Sequence, residues 1–191
     1  MKAIAICGSP RDSGNTQILL ERCLARLGEA GIDTQFIPLR GKTIKGCCAC
    51  ARCRELKDGT CAIKDDDFHD VFTLMKEADI IVVGSPVYFG SATPEMMALL
   101  DRAGYVSRGT GNFFSRKIGG PIAVARRAGQ NFTYAQLLYW FMLNDMVVPG
   151  STYWNIAFGR APGEVMDDEE ALETIDRFAD NLAWLAHALS S

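Results

Sequence analysis

The sequence predicts an α/β domain in which helices cover both faces of a five-stranded parallel sheet. Strand-like and helix-like segments alternate along the 191 residues, with no internal repeat and no low-complexity tract. This alternation is typical of parallel sheets, because each parallel connection needs a crossover that is usually a helix. Hydrophobic residues make up 48% and charged residues 23% of the chain, which is close to the average globular domain and argues against disorder.

Three strands are predicted in the first half of the chain. Short apolar segments place them at 2–7, 33–39 and 80–83, and the continuous run of the third is typical of a strand covered on both faces. Between the first two strands, helical spacing relates four side chains: Leu20, Cys23, Leu24 and Leu27. A second amphipathic helix begins near Phe68, after three aspartates at the end that the helix dipole makes positive.

The second half predicts two further strands and three helices. Thr93 and Pro94 favour a helix start, since proline suits the first helical position. The remaining predictions are a loop at 84–92, an irregular stretch at 104–120, strands at 121–125 and within 146–154, and helices at 132–144 and from Asp167–Glu170 onward.

Pro38 decides between the two common strand orders. A proline donates nothing to a strand ladder, so the second strand belongs at an edge, and the order becomes 2-1-3-4-5, which is the flavodoxin-like order. A six-stranded dinucleotide fold would need another strand and a G-x-G-x-x-G motif, and the sequence has neither. We therefore expect residues 1–191 to form one domain with a Cys-rich insertion at about 40–64.

Charge and hydropathy exclude several classes of partner. The net charge of −3 gives no electrostatic support for nucleic-acid binding. The longest apolar runs are far shorter than the roughly 20 residues that cross a membrane, and the N-terminus does not resemble a signal peptide. The sequence thus predicts a cytoplasmic protein without nucleic-acid or membrane partners.

The loop between the first strand and the first helix is rich in hydrogen-bond donors. A helix N-terminus favours anions, and here five side chains add donors within eight residues: Ser9, Arg11, Ser13, Asn15 and Thr16, with Gly14 among them. A phosphomonoester fits this chemistry. A polar turn that only caps the helix is the alternative.

Five of the seven cysteines lie between Cys47 and Cys61. Cys47, Cys50 and Cys53 have the C-x2-C-x2-C spacing that supplies three ligands of a [4Fe–4S] cluster in bacterial ferredoxins. Structural zinc more often uses two separated C-x2-C pairs. Buried structural thiols and a redox-labile loop remain alternatives, and Cys7 and Cys23 are predicted to be core residues.

Three stretches together carry a family resemblance. GSPRDSGNT at 8–16, GSPVYFGSATPEM at 84–96 followed by Asp101-Arg102, and the cysteine segment leading to Asp65-Asp66 resemble the flavodoxin-like NAD(P)H-dependent FMN reductase family, and within it most closely the iron–sulfur flavoproteins. The similarity runs from Met1 to about Gly150.

The resemblance implies FMN, with its phosphate on the donor-rich loop. The isoalloxazine ring would lie along the loop after the third strand, with the loop after the fourth strand approaching it. The residues so implied are Ser85, Pro86, Val87, Tyr88, Phe89 and Gly90 in the first of these loops and Arg126 and Gly129 in the second. Tyr88 and Phe89 as core residues, and Arg126 as a solvated arginine, are the alternatives. The same resemblance implies Cys47, Cys50, Cys53 and Cys61 as cluster ligands.

The function expected from these features is that of an FMN-dependent oxidoreductase or electron-transfer flavoprotein with a [4Fe–4S] cluster. It would pass electrons between a carrier, such as ferredoxin, and a small-molecule acceptor, without a catalytic triad. A cluster-free NAD(P)H-dependent FMN or quinone reductase is the alternative, and a flavodoxin-like carrier is a third. Apolar residues surround the helix at 132–143, which predicts a homodimer or homotetramer.

Overall fold

The computed structural model describes residues 1–190, and its core is one parallel sheet. The strand order is β2-β1-β3-β4-β5, and every neighbouring pair is parallel. The strands are β1 (Lys2–Cys7), β2 (Asp33–Pro38), β3 (Ile80–Pro86), β4 (Ile118–Ala125) and β5 (Ile156–Phe158). The 2-1-3-4-5 order predicted from the sequence is confirmed.

Six α-helices connect and cover these strands. They are α1 (Asn15–Glu29), α2 (Arg52–Leu56), α3 (Phe68–Glu77), α4 (Pro94–Gly109), α5 (Gln130–Leu143) and α6 (Glu169–Ser190), with a 3-10 turn at Glu164–Asp167 before the last. The short α2 is the only helix within the Cys-rich segment among residues 1–190. Sequence periodicity did not indicate it, because five residues are too few to show a helical repeat.

The two faces of the sheet carry different helices. On one face α1 and α6 pack over the sheet in one apolar cluster, which includes Leu20 and Phe178. On the other face α3, α4 and α5 form a second cluster, which includes Phe72 and Phe141. The chain therefore changes faces between β1 and β3, and such a switch point leaves a crevice at the carboxyl ends of those two strands.

The two edges of the sheet are unequal. β2 pairs with β1 along its whole length, from Lys2 opposite Asp33 to Cys7 opposite Pro38. β5 is three residues long and pairs with the last residues of β4, with Ala125 opposite Phe158. Pro38 occupies the edge that its missing N–H allows.

Four sequence predictions are wrong in their boundaries. β3 continues to Pro86 and β4 begins at Ile118, so residues 84–86 and 118–120 are strand rather than loop. α4 continues to Gly109 within the stretch that was expected to be irregular. The fifth strand lies at Ile156–Phe158, not within 146–154, where Val147 makes an isolated bridge to Ile118. Pairing with neighbouring strands extends β3 and β4 beyond their apolar runs, and sequence periodicity does not show this pairing.

Candidate functional site

A cavity of about 700 Å³, measured with its open mouth, lies at the carboxyl ends of the strands. Residues at or just after the ends of β1, β3, β4 and β5 all contribute to its wall: Ser9, Arg11, Gly14, Asn15, Thr16, Pro86, Val87, Tyr88, Val124, Arg126, Gly159 and Arg160. The cavity therefore occupies the crevice that the switch of faces creates.

The loop after β1 presents an uncapped helix end to this cavity. No side chain among residues 1–190 caps the start of α1, whose N-cap residue is Gly14. The backbone N–H of Arg11 donates to Ser9 Oγ at 3.2 Å, which folds the loop back on itself. Free N–H groups at a helix start attract anions.

Three guanidinium groups surround the same cavity. Arg11, Arg126 and Arg160 line it, and no aspartate or glutamate among residues 1–190 does so. Arg11 Nη1 donates to the backbone oxygen of Arg160 at 2.9 Å, which joins the loop after β1 to the loop after β5. Together with the uncapped helix, this arrangement suits a ligand with a phosphate.

Asn15 is occupied by a structural task. Its Nδ2 donates to the backbone oxygen of Ala161 at 2.9 Å, and its Oδ1 accepts from the backbone N–H groups of Gly163 at 2.9 Å and Val165 at 3.3 Å. The sequence pattern predicts this carboxamide as a phosphate donor. In the structure it holds the 159–165 loop against α1, and so places Gly159 and Arg160 at the cavity.

The loop after β3 is shaped by a tight turn. Tyr88 and Ser91 exchange both backbone hydrogen bonds, and the two residues between them have positive φ values, +52° at Phe89 and +80° at Gly90. This is the geometry of a type I′ turn. Tyr88 lines the cavity, whereas the Phe89 side chain is fully exposed to solvent. The alternative that these two rings are core residues does not hold.

Ser85 and Gly129 support the cavity from behind. Ser85 is buried, and its Oγ accepts from the N–H of Thr93 at 3.0 Å, which fixes the start of α4. Gly129 has a φ of +94°, and a Cβ there would lie 3.0 Å from Val87 Cγ1, so glycine relieves both backbone strain and crowding where the loop after β4 approaches the loop after β3. Ser13, Phe89 and Gly90 likewise lie outside the cavity lining.

Three lining residues were missed from the sequence: Val124, Gly159 and Arg160. Val124 is in β4, one residue before its end, and sequence reasoning had considered only the loop that follows. Gly159 and Arg160 follow β5 at Ile156–Phe158, whereas the sequence predicts the fifth strand within 146–154. The short apolar run Ile156–Phe158 before a glycine was the available signal.

A second cavity lies within the Cys-rich segment. All five cysteines of that segment, Cys47, Cys48, Cys50, Cys53 and Cys61, border it, together with Arg102, Tyr105 and Val106 of α4. Cys53 and Cys61 are buried, whereas the other three are exposed. Within the described part of the chain, no three His, Cys, Asp or Glu side chains are arranged to hold a metal ion.

The surroundings of these thiols differ. Burial raises the pKa of Cys53. A hydrogen bond from the backbone N–H of Arg52 lowers the pKa of Cys50. The chemistry of the donor set, five sulfurs around one cavity, suits a soft metal or an iron–sulfur cluster.

A 2-1-3-4-5 parallel sheet with an anion-binding cavity at its switch point defines a nucleotide- or flavin-binding α/β protein. Residues 1–161 match the NADPH-dependent FMN reductase family, and the chain belongs to that family. It is therefore a flavin-dependent oxidoreductase, and its flavin is FMN. The resemblance noted from the sequence motifs is confirmed.

Individual relatives agree with this assignment. The chain is 37% identical over 190 residues to an iron-sulfur flavoprotein of Methanocaldococcus jannaschii, covering 96% of each protein. It is 30% identical over 187 residues to an iron-sulfur flavoprotein of Methanosarcina thermophila, covering 95% of each. Among solved structures, a flavodoxin, WrbA-like protein from Agrobacterium tumefaciens matches with a TM-score of 0.67 at 14% identity over 98% of both chains, which shows the shared fold.

The cavity fits FMN on its own evidence. Uncapped N–H groups and three arginines suit the phosphate, and Pro86, Val87, Tyr88 and Val124 offer an apolar wall for a flat ring.

None of the helices within residues 1–190 has the length and apolar character needed to cross a membrane.

Proposed function

We propose that this protein holds FMN in the cavity at the strand ends and a [4Fe–4S] cluster on Cys47, Cys50, Cys53 and Cys61. It would pass electrons between a carrier such as ferredoxin and a small-molecule acceptor. The main observation in support of the cluster is that the five cysteines of one segment border a single cavity. The names of the relatives as iron-sulfur flavoproteins support the same proposal. FMN exchanges one or two electrons and a cluster exchanges one, so the pair links two-electron and one-electron chemistry.

Each part of the first cavity has a distinct task in this proposal. The first turn of α1, with Ser9, Gly14 and Thr16, and the guanidinium of Arg11 bind the phosphate. Asn15 orients the loop that carries Arg160, and Ser13 contributes to the turn that precedes the helix, where its N–H donates to Gln17 Oε1 at 3.0 Å.

The ring end of the cavity is built by the loops after β3 and β4. Pro86, Val87 and Tyr88 flank the ring and keep water from one of its faces. Arg126 places a cation at the mouth, where it stabilises negative charge that develops on the ring. Ser85, Gly90 and Gly129 fix the backbone of these loops.

Metal analysis tests the cluster directly. After anaerobic purification, about four irons and four sulfides per FMN are expected. Replacing any one of Cys47, Cys50, Cys53 or Cys61 by serine should lower the iron content, whereas Cys48→Ser should not. Cys48 is a matched control because, like Cys47 and Cys50, it is exposed and borders the same cavity. Full flavin occupancy with no iron would refute the cluster.

A cluster-free NAD(P)H-dependent FMN or quinone reductase is the second candidate. The arrangement of the thiols favours it, since no three metal-binding side chains within residues 1–190 converge on one point. Reduction kinetics separate the two candidates. Rapid bleaching of the flavin by NADPH alone would favour the reductase, and bleaching only through reduced ferredoxin would favour the cluster protein.

The outer face of α5 supports the proposal of a homodimer or homotetramer. Four large apolar side chains on it are exposed to solvent: Phe132, Tyr139, Met142 and Leu143. Several exposed large apolar side chains on one helix are typical of an interface. Sedimentation at micromolar concentration should give a multimer, and Tyr139→Lys should reduce its mass. A wild-type monomer would exclude the proposed assembly.

A further inference from the structure

Arg102, on α4, is the largest fully buried side chain among the described residues. A buried guanidinium is costly unless every charge and donor finds a partner. The residues that bind this guanidinium therefore indicate its role in the fold.

Most of those partners belong to the segment that carries the cysteines. Arg102 forms a buried ion pair with Asp66, in which both side chains are fully shielded from solvent. Its Nη1 donates to the backbone oxygen of Lys45 at 3.0 Å, and its Nη2 donates to the backbone oxygen of Ile63 at 3.1 Å. One guanidinium thus ties both ends of the segment to α4.

One terminal nitrogen of Arg102 also points at a cysteine, while Nε is buried without a hydrogen-bond partner among the described residues. Nη2 lies 3.4 Å from Cys61 Sγ, within hydrogen-bonding distance for sulfur. The guanidinium also stacks 3.9 Å from the centre of the Phe68 ring, which fixes its plane. The two terminal nitrogens of the guanidinium reach Asp66, Ile63 and Cys61 together, whereas a lysine ammonium would be too compact to do so.

The electrostatic consequence follows from the location. An N–H donor on a ligand sulfur, in a site shielded from water, stabilises the more negatively charged state of whatever the sulfur binds. Hydrogen bonds to sulfur and exposure to solvent are two of the factors that set the potential of an iron–sulfur cluster. Asp66 opposes this effect, because its carboxylate offsets part of the guanidinium charge.

We propose that Arg102 is a positioning residue that anchors the cysteine segment to α4 and, through its hydrogen bond to Cys61, raises the reduction potential of the cluster held there. Asp66 lowers that potential by neutralising Arg102. This inference rests on the proposed cluster. It concerns how this chain tunes the cluster rather than whether a cluster is present.

Two substitutions are expected to move the potential in opposite directions. Arg102→Lys keeps the positive charge beside Asp66 but loses the donor to Cys61. Its cluster should be harder to reduce by about tenfold in equilibrium constant, the size of one charge-assisted hydrogen bond, which equals about 59 mV for one electron. Asp66→Asn leaves the guanidinium uncompensated and should make the cluster easier to reduce. Loosening of the fold alone would not produce opposite signs.

The measurement is an anaerobic potentiometric titration with dithionite as reductant, followed by electron paramagnetic resonance. Arg54→Lys is the control, because the Arg54 side chain stacks on Tyr105 at 4.3 Å and lines a neighbouring groove, and among the described residues it makes no side-chain hydrogen bond to sulfur. Its potential should equal that of the wild type. Equal potentials in wild type, Arg102→Lys and Asp66→Asn would overturn the inference and leave the cluster itself intact.

Metal content keeps the two proposals separate. Wild-type protein without iron would refute the cluster and the tuning together. Hydrogen exchange on the cluster-free protein then tests the anchoring alone. Amides in 45–63 should exchange faster in Arg102→Lys than in wild type, with no change in β1 or β3. Unchanged protection across that segment would refute the anchoring as well. If Arg102→Lys does not fold, Asp66→Asn still tests the sign of the shift.

Discussion

The side-chain oxygen of Asn15 accepts a 2.9 Å hydrogen bond from the backbone of Gly163, 148 positions later in the sequence. It is one of three hydrogen bonds by which this side chain holds the loop after β5 against the first turn of α1. Since Gly159 and Arg160 lie in that loop, the contact gives the cavity its fourth wall.

Asn15→Ala should therefore weaken FMN binding and lower stability. The change leaves the buried N–H of Val165 without a partner, and such a loss costs about 1–3 kcal/mol. Fluorescence titration of apoprotein with FMN and urea unfolding measure the two effects. Asn181→Ala, which removes an exposed hydrogen bond to Gly150 far from the cavity, is the control. Unchanged FMN affinity in Asn15→Ala would contradict this role.

Arg126 and Arg127 form a natural matched pair. Both are exposed, but only Arg126 lines the cavity within the part of the chain that the structure describes. Arg126→Gln should reduce FMN affinity by up to about fivefold, because exposed ion pairs contribute about 0.2–1 kcal/mol. The reduction should shrink in high salt. Arg127→Gln should bind FMN as the wild type does, and equal losses in both variants would assign the effect to general surface charge.

The type I′ turn carries a residue that suits it poorly. Phe89 adopts a φ of +52° with its ring in solvent. Asparagine tolerates this conformation better, so Phe89→Asn should stabilise the apoprotein by about 1 kcal/mol, or roughly 2–4 °C in Tm for a chain of this size. Phe89→Ala removes the same ring without relieving the strain and should show no gain. Calorimetry at matched concentration distinguishes them, and equal Tm values for the two variants would refute the argument.

Alkaline pH should destabilise the fold through its buried thiols. Burial raises the pKa of Cys7 to about 11 and that of Cys23 to about 12, above the ordinary value of 9.0. Between pH 9 and the raised pKa of each thiol, that thiol loses its proton in the unfolded chain but keeps it in the folded chain. Each thiol therefore contributes stability that is complete below pH 9 and falls by up to about 1.4 kcal/mol per pH unit above it.

Cys23→Ala tests this sign. The variant is less stable than the wild type at pH 7, because a buried group is lost, but its free energy of unfolding should fall less steeply between pH 9 and 10.5. Leu24→Ala, which removes a neighbouring core side chain that cannot ionise, should keep the wild-type slope. Anaerobic urea titrations at several pH values give the comparison. Parallel slopes in all three proteins would contradict the raised pKa.

The sequence predicted the sheet better than it predicted the site. Pro38 has a property, the missing N–H, that fixes its place at an edge whatever surrounds it, so the strand order followed from one residue. The predicted position of the fifth strand was wrong for the opposite reason, since no single residue determines it. The three residues of β5 are too few to show an alternating apolar pattern. The stronger apolar signal at 146–154 therefore places the predicted strand too early in the chain.

The burial of Arg102 was also beyond sequence reasoning. An arginine on an amphipathic helix is normally read as solvated, and its partner Asp66 lies 36 positions away in a segment without periodicity. The additional role of Asn15 in holding the loop after β5 could not be predicted, because its hydrogen-bond partners lie about 150 positions later. Local patterns identify which residues have donors, and only tertiary structure shows which donors are already used.

The edges of the sheet bear on how copies of this chain can meet. An exposed edge strand can pair with the edge of another molecule and propagate into aggregates. Here one edge ends in Pro38 and begins with the charged Asp33, while the other is only three residues long. Both features discourage continuation of the sheet from one molecule to the next. Growth into fibrils by pairing of sheet edges is therefore disfavoured.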